Sequence, residues 1–246
     1  MDIYGLIGHP LDHSFSYAYF NEKFQNEGID AEYRNFDIAD IGELDEIVNA
    51  TPALRGLNVT IPYKELVVKR LDALTPEAKA IGAVNVIKVS QAGGKPRLKG
   101  FNSDVVGFTR SIEPMLESHH RKALILGTGG AAKAVDFGLR SLGIETQMVS
   151  RTPRKGVIGY GDVTPAMVEE GRVIVNCTPV GMYPHTDECP PLPYEAMDGR
   201  TLLYDLLYNP DETLFLARGK ARGATVKNGL EMLLLQAFVG WEMWNG

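Results

Sequence analysis

The chain has 246 residues, of which 44% are hydrophobic and 23% are charged, a composition typical of a globular protein with one large or two smaller cores. Its formal net charge of −6 and its pI near 5.4 disfavour nucleic acid as a main partner. No segment approaches the roughly 18 consecutive apolar residues of a membrane span. The two cysteines and five histidines lack metal-ligand spacing, and the N-terminus lacks a signal-peptide pattern. We therefore expect a cytoplasmic protein without a metal site.

The first segments predict a strand, a loop and a helix. Residues 3–7 form a short apolar run, and residues 8–13 contain the glycine, proline and aspartate of a loop. Residues 17–25 have apolar side chains at helical spacing, so either Ser14 or Ser16 is expected to cap that helix. Two hydroxyls at such a junction could equally bind a hydroxylated or carboxylated ligand, and both roles stay open.

A possible functional lysine follows the next strands. Strand, helix and strand are predicted for residues 31–37, 41–49 and 54–62. Residues 63–71 then predict another helix with Lys64 in its first turn, where the helix macrodipole disfavours a cation. A solvated surface lysine and a functional lysine with a lowered pKa are both compatible with that position.

The following residues predict a short helix and a hairpin. Thr75 before Pro76 is typical of a helix start, and Gly82 ends that helix. Asn85 lies within a predicted apolar strand, where its amide either bonds neighbouring backbone or faces a polar cleft. Strands at residues 83–89 and 97–101 are joined by a loose loop at 91–96. Asp104 precedes a helix at residues 105–116 and could simply cap it.

Residues 122–155 have the pattern of a dinucleotide-binding unit. A buried parallel strand is predicted for residues 123–126, and glycines follow it immediately. These glycines let the backbone approach a pyrophosphate, and a helix from Ala131 directs its N-terminal amides at the anion. The motif reads GTGGAA and lacks the third glycine of GxGxxG, so an ordinary strand-to-helix turn is the alternative. The motif residues are Gly127, Thr128, Gly129, Gly130 and Ala131.

The end of the second strand, predicted for residues 146–150, indicates which cofactor is bound. A carboxylate there binds the ribose diol of NAD, whereas an arginine accommodates the 2′-phosphate of NADP. This chain has Arg151 at that position, between Ser150 and Thr152, and Arg154 follows closely. The sequence therefore favours NADP.

The last third of the chain completes an α/β pattern. A buried strand and its following loop are predicted for residues 171–179, and an irregular proline-rich segment for 182–193. A strand, a helix and a final strand are predicted for residues 201–208, 213–222 and 225–226. Residues 229–244 carry an apolar helical stripe in which Gln236 is the polar exception.

These motifs resemble those of the shikimate dehydrogenase family over nearly the whole chain. Residues 8–16 are similar to its serine loop, and NVTIPYK at 58–64 resembles its catalytic-lysine motif. GAVN at 82–85, NSD at 102–104 and YDLLYN at 204–209 resemble its other ligand-binding segments. Tyr17 and Phe20 depart from the family's proline and histidine, while Asn21 agrees with it.

The resemblance implies an α/β fold with an N-terminal substrate domain, a Rossmann-type NADP domain and an active site in the interdomain cleft. The substrate domain would comprise residues 1–101 and the C-terminal helix 228–246, and the NADP domain residues 102–227. The resemblance gives no oligomeric state, so a monomer or a homodimer is expected.

The resemblance also implies residue roles. Lys64 would be the general acid or base, and Asp104 would hold it in place. The nicotinamide would lie by Leu206 and Gly229. Substrate contacts are implied for Ser14, Ser16, Thr60, Asn85, Tyr208 and Gln236.

The implied reaction is the reversible NADPH-dependent reduction of 3-dehydroshikimate to shikimate, in aromatic amino-acid biosynthesis. One alternative is a quinate/shikimate dehydrogenase with relaxed cofactor choice. Another is a non-catalytic NADP-binding regulatory module. Loss of Lys64 or Asp104 would have indicated that module, and both residues are present.

Overall fold

A computed structural model describes residues 1–11 and 14–246, and the chain forms two compact units. The first unit comprises Met1–Ser103 and Ala237–Gly246, and the second comprises Asp104–Gln236. Asp12 and His13 of the predicted N-terminal loop lie outside the described residues. Within the described ranges, every helix falls short of the length and apolar content that a membrane crossing requires.

The first unit is built on a mixed sheet. Its described strands are β1 (Asp2–Gly8), β2 (Ala31–Asp37), β3 (Leu54–Val59), β4 (Ala73–Leu74), β5 (Val86–Ala92) and β6 (Lys95–Phe101). Their order is β2-β1-β3-β5-β6-β4, with β1 parallel to β2 and β3, and β5 antiparallel to β3 and β6. Its helices are α1 (Phe15–Glu27), α2 (Leu44–Ala50) and α3 (Pro76–Ile81), with 3-10 turns at Ile41–Glu43 and Leu66–Arg70.

The second unit is built on a parallel sheet. Its described strands are β7 (Lys122–Leu126), β8 (Glu145–Ser150), β9 (Val157–Gly159), β10 (Arg172–Asn176), β11 (Leu202–Asp205) and β12 (Thr225–Lys227). The order β12-β11-β10-β7-β8-β9 is that of a Rossmann sheet, so the strand order reverses between β7 and β10. Its helices are α4 (Asp104–Ile112), α5 (Gly130–Ser141), α6 (Pro165–Gly171) and α7 (Leu214–Lys220). The last helix, α8 (Leu230–Asn245), begins in the second unit and ends in the first.

Alternation along β1 separates two cores of the first unit. Ile3 and Ile7 pack in a cluster with side chains of α2, whereas Tyr4 and Leu6 pack with aromatic side chains of α1 and α8. Trp244 of α8 joins the aromatic cluster, and its indole N–H donates to the Ile87 carbonyl at 3.1 Å. The end of α8 is therefore part of the first unit's core.

The central strand of the second unit is buried on both faces, as its continuous apolar run predicts. Ala123 and Ile125 pack in one cluster with side chains of α5, while Leu124 and Leu126 pack in another on the opposite face. Because β7 is packed on both faces, its direction is fixed, and so is the direction in which the chain enters the glycine loop.

The predicted helix at residues 63–71 is wrong. Lys64 lies in a turn, and only Leu66–Arg70 form a short 3-10 helix. The Lys64 carbonyl accepts the Val84 N–H at 2.8 Å, so it is used by a tertiary hydrogen bond rather than by a helical turn. The macrodipole argument for Lys64 consequently does not apply.

Three other predictions of local structure need correction. Asn85 precedes β5 instead of lying within the strand, and the loop after β5 is a tight Gly93-Gly94 turn with φ of 61° and 77°. The strand predicted for residues 201–208 ends at Asp205, whose carboxylate accepts the Leu207 N–H at 3.1 Å. The strand β9 and the helix α6 were not predicted.

Candidate functional site

The two serines occupy the start of α1. The Ser14 hydroxyl oxygen accepts the Tyr17 N–H at 3.1 Å, which confirms that one of the serines caps the helix. Ser16 lies in the first turn and is half-buried. Burial raises the pKa of the Tyr33 phenol, and a hydrogen bond with the Ser16 hydroxyl opposes that rise. Ser16 is therefore directed toward the interior of the first unit rather than toward bulk water.

Backbone hydrogen bonds bring Thr60, Lys64 and Asn85 into one region of the first unit. The Thr60 N–H donates to the Ile7 carbonyl in β1 at 2.9 Å. The Val59 N–H donates to the Asn85 carbonyl at 2.9 Å. The Lys64 carbonyl is bonded to the residue before Asn85. Three sequence-predicted residues thus lie on segments that are hydrogen-bonded to one another.

Asn85 is held in a defined orientation. It is only 2% exposed, and its amide donates to the Ser103 hydroxyl at 2.9 Å. Its side-chain oxygen accepts the Ser103 N–H at 2.7 Å. Asn85 therefore bonds a backbone group, as one of the two alternatives left open by the sequence predicts, and its amide is fixed beside Ser103.

Three buried polar residues of this region were missed by the sequence predictions. Tyr33, Asn58 and Ser103 are at most 6% exposed, and each hydrogen-bonds another polar side chain. Asn58 gave the same signal as Asn85, a lone amide in an apolar run, and could have been found in that way. Nothing in the local sequence distinguishes Tyr33 from an ordinary core tyrosine.

Asp104 begins α4 in the second unit and directly follows Ser103 in the chain. Its side chain is 4% exposed, an unusual position for a carboxylate. Burial raises the pKa of the Cys177 thiol well above its usual value, and the nearby charges of Asp205 and Asp104 add to the shift. The Cys177 thiol is therefore protonated at neutral pH and is a poor nucleophile.

The glycine loop has the backbone geometry of an anion site. Gly127 has φ of 111°, which side chains rarely adopt, and a Cβ there would lie 3.2 Å from the Cys177 carbonyl oxygen. Gly129 caps the 12-residue helix α5 and has open space where a side chain would stand. The position of the third glycine is occupied by Ala132, which is fully buried. The loop therefore leaves room for a diphosphate at the N-terminus of α5.

The basic residues after β8 lie on an exposed turn. Arg151, Arg154 and Lys155 are all exposed, and the backbone of Arg154 pairs with Val157 at 3.0 and 2.8 Å. The Ser150 hydroxyl accepts the Thr152 N–H at 3.2 Å and tightens the start of the turn. This arrangement presents three cations at the end of β8, the strand that in Rossmann sheets ends beside the cofactor ribose.

A buried hydrogen-bond network closes the ends of β10 and β11. The Asn176 amide donates to Asp205 at 3.0 Å, and the Thr213 hydroxyl donates to the other Asp205 oxygen at 2.6 Å. The side-chain oxygen of Asn176 accepts from the N–H and hydroxyl of Thr178 at 3.1 and 2.6 Å. Burial raises the pKa of Asp205 to about 6, although these hydrogen bonds oppose the shift. The network shapes the loop after β10, next to the glycine loop.

Leu206 and Gly229 are adjacent in the second unit. The Gly229 N–H donates to the Leu207 carbonyl at 2.9 Å, and a Cβ on Gly229 would overlap the Leu206 carbonyl oxygen. Glycine is therefore required for this approach. Tyr208 follows with 42% exposure, and the Gln236 amide on α8 donates to the Leu233 carbonyl at 3.0 Å.

Comparison with known proteins identifies one family repeatedly. The shikimate dehydrogenase substrate binding domain family matches residues 6–87. An NADP(+) shikimate dehydrogenase of Carboxydothermus hydrogenoformans is 37% identical, over 98% of this chain and 91% of that protein. The shikimate dehydrogenase of Thermus thermophilus, solved with NADP(H) and shikimate, is 34% identical with a TM-score of 0.85, over 100% of this chain and 94% of that one. A 5-ketofructose reductase of Gluconobacter is 27% identical with a TM-score of 0.83, over 99% and 92%.

Proposed function

Since this chain belongs to the shikimate dehydrogenase family, we propose that it catalyses the reversible NADPH-dependent reduction of 3-dehydroshikimate to shikimate. That reaction is a step of aromatic amino-acid biosynthesis, and we assign it to the cytoplasm. The observation that carries the proposal is that Thr60, Lys64 and Asn85, which bear a hydroxyl, an amine and an amide, lie on segments of the first unit that are hydrogen-bonded to one another. Such groups suit a hydroxylated ring with a carboxylate.

The second unit fits NADP. NADPH supplies the hydride when it is bound. The open space at Gly129 and the N-terminal amides of α5 support a pyrophosphate site, and the exposed Arg151 supports recognition of the 2′-phosphate. The proposed cofactor contacts are Gly127, Thr128, Gly129, Gly130, Ala131, Ser150, Arg151, Thr152, Arg154, Leu206 and Gly229.

Lys64 is the proposed general acid for ketone reduction. The ketone oxygen requires a proton as hydride arrives, and the Lys64 ammonium donates it from Nζ; in shikimate oxidation the neutral amine removes the hydroxyl proton. Asp104 is the second proposed catalytic residue, a carboxylate that accepts hydrogen bonds in the ternary complex. The proposed substrate contacts are Ser14, Ser16, Thr60, Asn85, Tyr208 and Gln236.

The proposal assigns a role to each part of the chain. Residues 1–101 with 228–246 form the substrate domain, and residues 102–227 form the NADP domain. We propose that the enzyme acts as a monomer or a homodimer on a small-molecule substrate, without nucleic acid.

The decisive assay follows NADP reduction spectrophotometrically with shikimate as the substrate. Parallel assays replace shikimate by quinate, or replace NADP by NAD. Another parallel assay follows NADPH oxidation with 5-ketofructose as the substrate. Shikimate with NADP should give the highest kcat/KM. Lys64→Ala should lower kcat by about a hundredfold or more while leaving NADPH affinity intact. Lys69→Ala, at an exposed lysine of the neighbouring 3-10 helix, is the matched control and should match the wild type. Full turnover by Lys64→Ala would overturn the assignment of the acid.

The two alternatives predict other outcomes in the same assay. Equal rates with quinate, or with NAD, would identify a dehydrogenase of relaxed specificity, for which the departures at Tyr17 and Phe20 in α1 would be the first residues to test. Tight NADP binding without turnover of any substrate would identify a regulatory module. The presence of Lys64 and Asp104 supports the catalytic reading.

A further inference from the structure

Tyr33 ties the helix that carries the two serines to the sheet of the first unit. It lies on β2, is fully buried, and exchanges two hydrogen bonds with the Asn21 side chain of α1, both at 2.9 Å. Its ring stacks on Phe20 of the same helix at 4.9 Å, with the ring planes 12° apart. The position of α1 relative to β2 is therefore defined by one residue through its backbone and its ring.

The phenol of Tyr33 extends this connection into the polar interior. It donates to the Asn58 side-chain oxygen at 2.7 Å, and the Asn58 amide donates to the Asn85 carbonyl at 3.4 Å. Asn85 in turn donates to Ser103 at 2.9 Å. Burial raises the pKa of Tyr33 well above its usual value, while the Ser16 hydroxyl opposes that shift, so the phenol keeps its proton and remains a donor to Asn58.

This chain of contacts joins two residues that the proposed function places on the substrate. Ser16 stands at one end, beside the Tyr33 phenol, and Asn85 stands at the other. In a water-excluded interior each hydrogen bond orients the next, so a change at the middle of the chain displaces both ends. Ser16 is on a helix and Asn85 is in a loop before β5. Tyr33 with Asn58 connects the two, through the Ser16 hydroxyl at one end and the backbone carbonyl of Asn85 at the other.

We propose that Tyr33 is a positioning residue, which sets the separation and orientation of Ser16 and Asn85 for a hydroxylated, carboxylated ring. The inference rests on the proposed function and deepens it. Tyr33 does not touch the substrate; it acts through Ser16 and, by way of Asn58, through Asn85.

Tyr33→Phe tests this role because it removes only the phenol oxygen and keeps the ring stacking and the Asn21 bonds. Loss of one buried hydrogen bond should raise KM for shikimate about tenfold, with kcat changed less than about twofold and KM for NADP unchanged. Tyr4→Phe is the matched control. Tyr4 is 4% exposed and packs against Trp241 and Trp244 in the same unit, and its hydroxyl is not part of the Tyr33 chain.

A second variant tests the far end of the same hydrogen-bond network. Ser103→Ala removes the acceptor of the Asn85 amide at the far end and should also raise KM for shikimate. The double variant Tyr33→Phe/Ser103→Ala should raise KM for shikimate by less than the product of the two single increases, because both substitutions act through one network. Equal KM values for Tyr33→Phe, Tyr4→Phe and the wild type would overturn the proposal, as would fully independent effects in the double variant.

A readout without catalysis separates this inference from the proposed function. The side-chain amide NMR signals of Asn58 and Asn85 in the full chain should shift in Tyr33→Phe and stay in place in Tyr4→Phe. If the wild type fails to oxidise shikimate but these signals shift, the proposed function is refuted and the coupling stands. Unmoved Asn85 signals in an active enzyme would refute the coupling alone.

Discussion

The buried Asp205 should make the second unit less stable as the pH rises, and Asp205→Asn should remove this dependence. The carboxylate is fully buried and accepts from Asn176, Thr213 and the Leu207 N–H. An asparagine keeps one oxygen for Asn176 and Leu207, and the Thr213 hydroxyl can turn to accept from the new amide. The substitution therefore removes the charge with little change in the hydrogen-bond pattern.

The magnitude follows from the pKa of Asp205, which burial raises from 3.8 to about 6. The folded state binds the proton more tightly than the unfolded state, so this stabilisation is complete below the unfolded pKa and is lost as pH rises through the folded pKa. A difference of about 2 pKa units at 1.36 kcal/mol each corresponds to about 3 kcal/mol in total. Between about pH 4.5 and about pH 7.5 the expected loss from this group is about 2 kcal/mol.

The measurement is the difference in unfolding free energy between wild type and Asp205→Asn across that pH range. Urea unfolding followed by far-UV circular dichroism gives the difference, and other titrating groups cancel. Hydrogen exchange of peptides that contain β10 and β11 reports the unfolding of the second unit. The fluorescence of Trp241 and Trp244 reports the unfolding of the first unit. The variant should gain about 2 kcal/mol relative to the wild type from the acidic to the neutral end. A difference that is flat with pH, or that shifts in favour of the wild type as the pH rises, would refute the reasoning.

The remaining predictions concern the cofactor site. Gly229→Ala places a Cβ against the Leu206 carbonyl oxygen and should destabilise the protein by about 1–3 kcal/mol, seen as a lower Tm; an unchanged Tm would contradict the close approach. Gly129→Ala adds a methyl group where the structure has open space, so Tm should stay constant while NADPH binding measured by calorimetry weakens at least about tenfold; unaltered binding would argue against a pyrophosphate there. Arg151→Ala should weaken NADPH about tenfold or more but leave NADH nearly unaffected, since a charged hydrogen bond to the 2′-phosphate is lost. Lys155→Ala on the same turn is the control, with a change below about threefold, and equal losses for both nucleotides in Arg151→Ala would exclude the 2′-phosphate role.

Periodicity in the sequence predicted much of the two-sheet architecture because burial dictates it. The apolar run of β7 predicted a strand covered on both faces, and its glycines predicted the turn into α5. Ser14 was a predicted cap candidate because a hydroxyl preceded a helical pattern, and the structure confirms that role.

Tertiary hydrogen bonds explain what periodicity missed. The segment at Lys64 has a helical pattern, yet its carbonyl is taken by Val84, a residue that no local rule connects to it. The strand ending at Asp205 looked longer because its apolar residues continue, although the carboxylate accepts the N–H of Leu207, two residues on. The roles of Tyr33 and Asn58 arise only when β2 and β3 lie on either side of β1.

The return of α8 to the first unit has a consequence for synthesis. Trp244 fills space beside Gly56, where a side chain would collide with the indole, and this indole is translated after the whole second unit. The whole second unit therefore leaves the ribosome before the first unit can complete its aromatic core. A released chain truncated after Gln236 should show protease protection at residues 104–236 but cleavage within β1 and α1. Protection of both regions would mean that the first unit closes without its final helix.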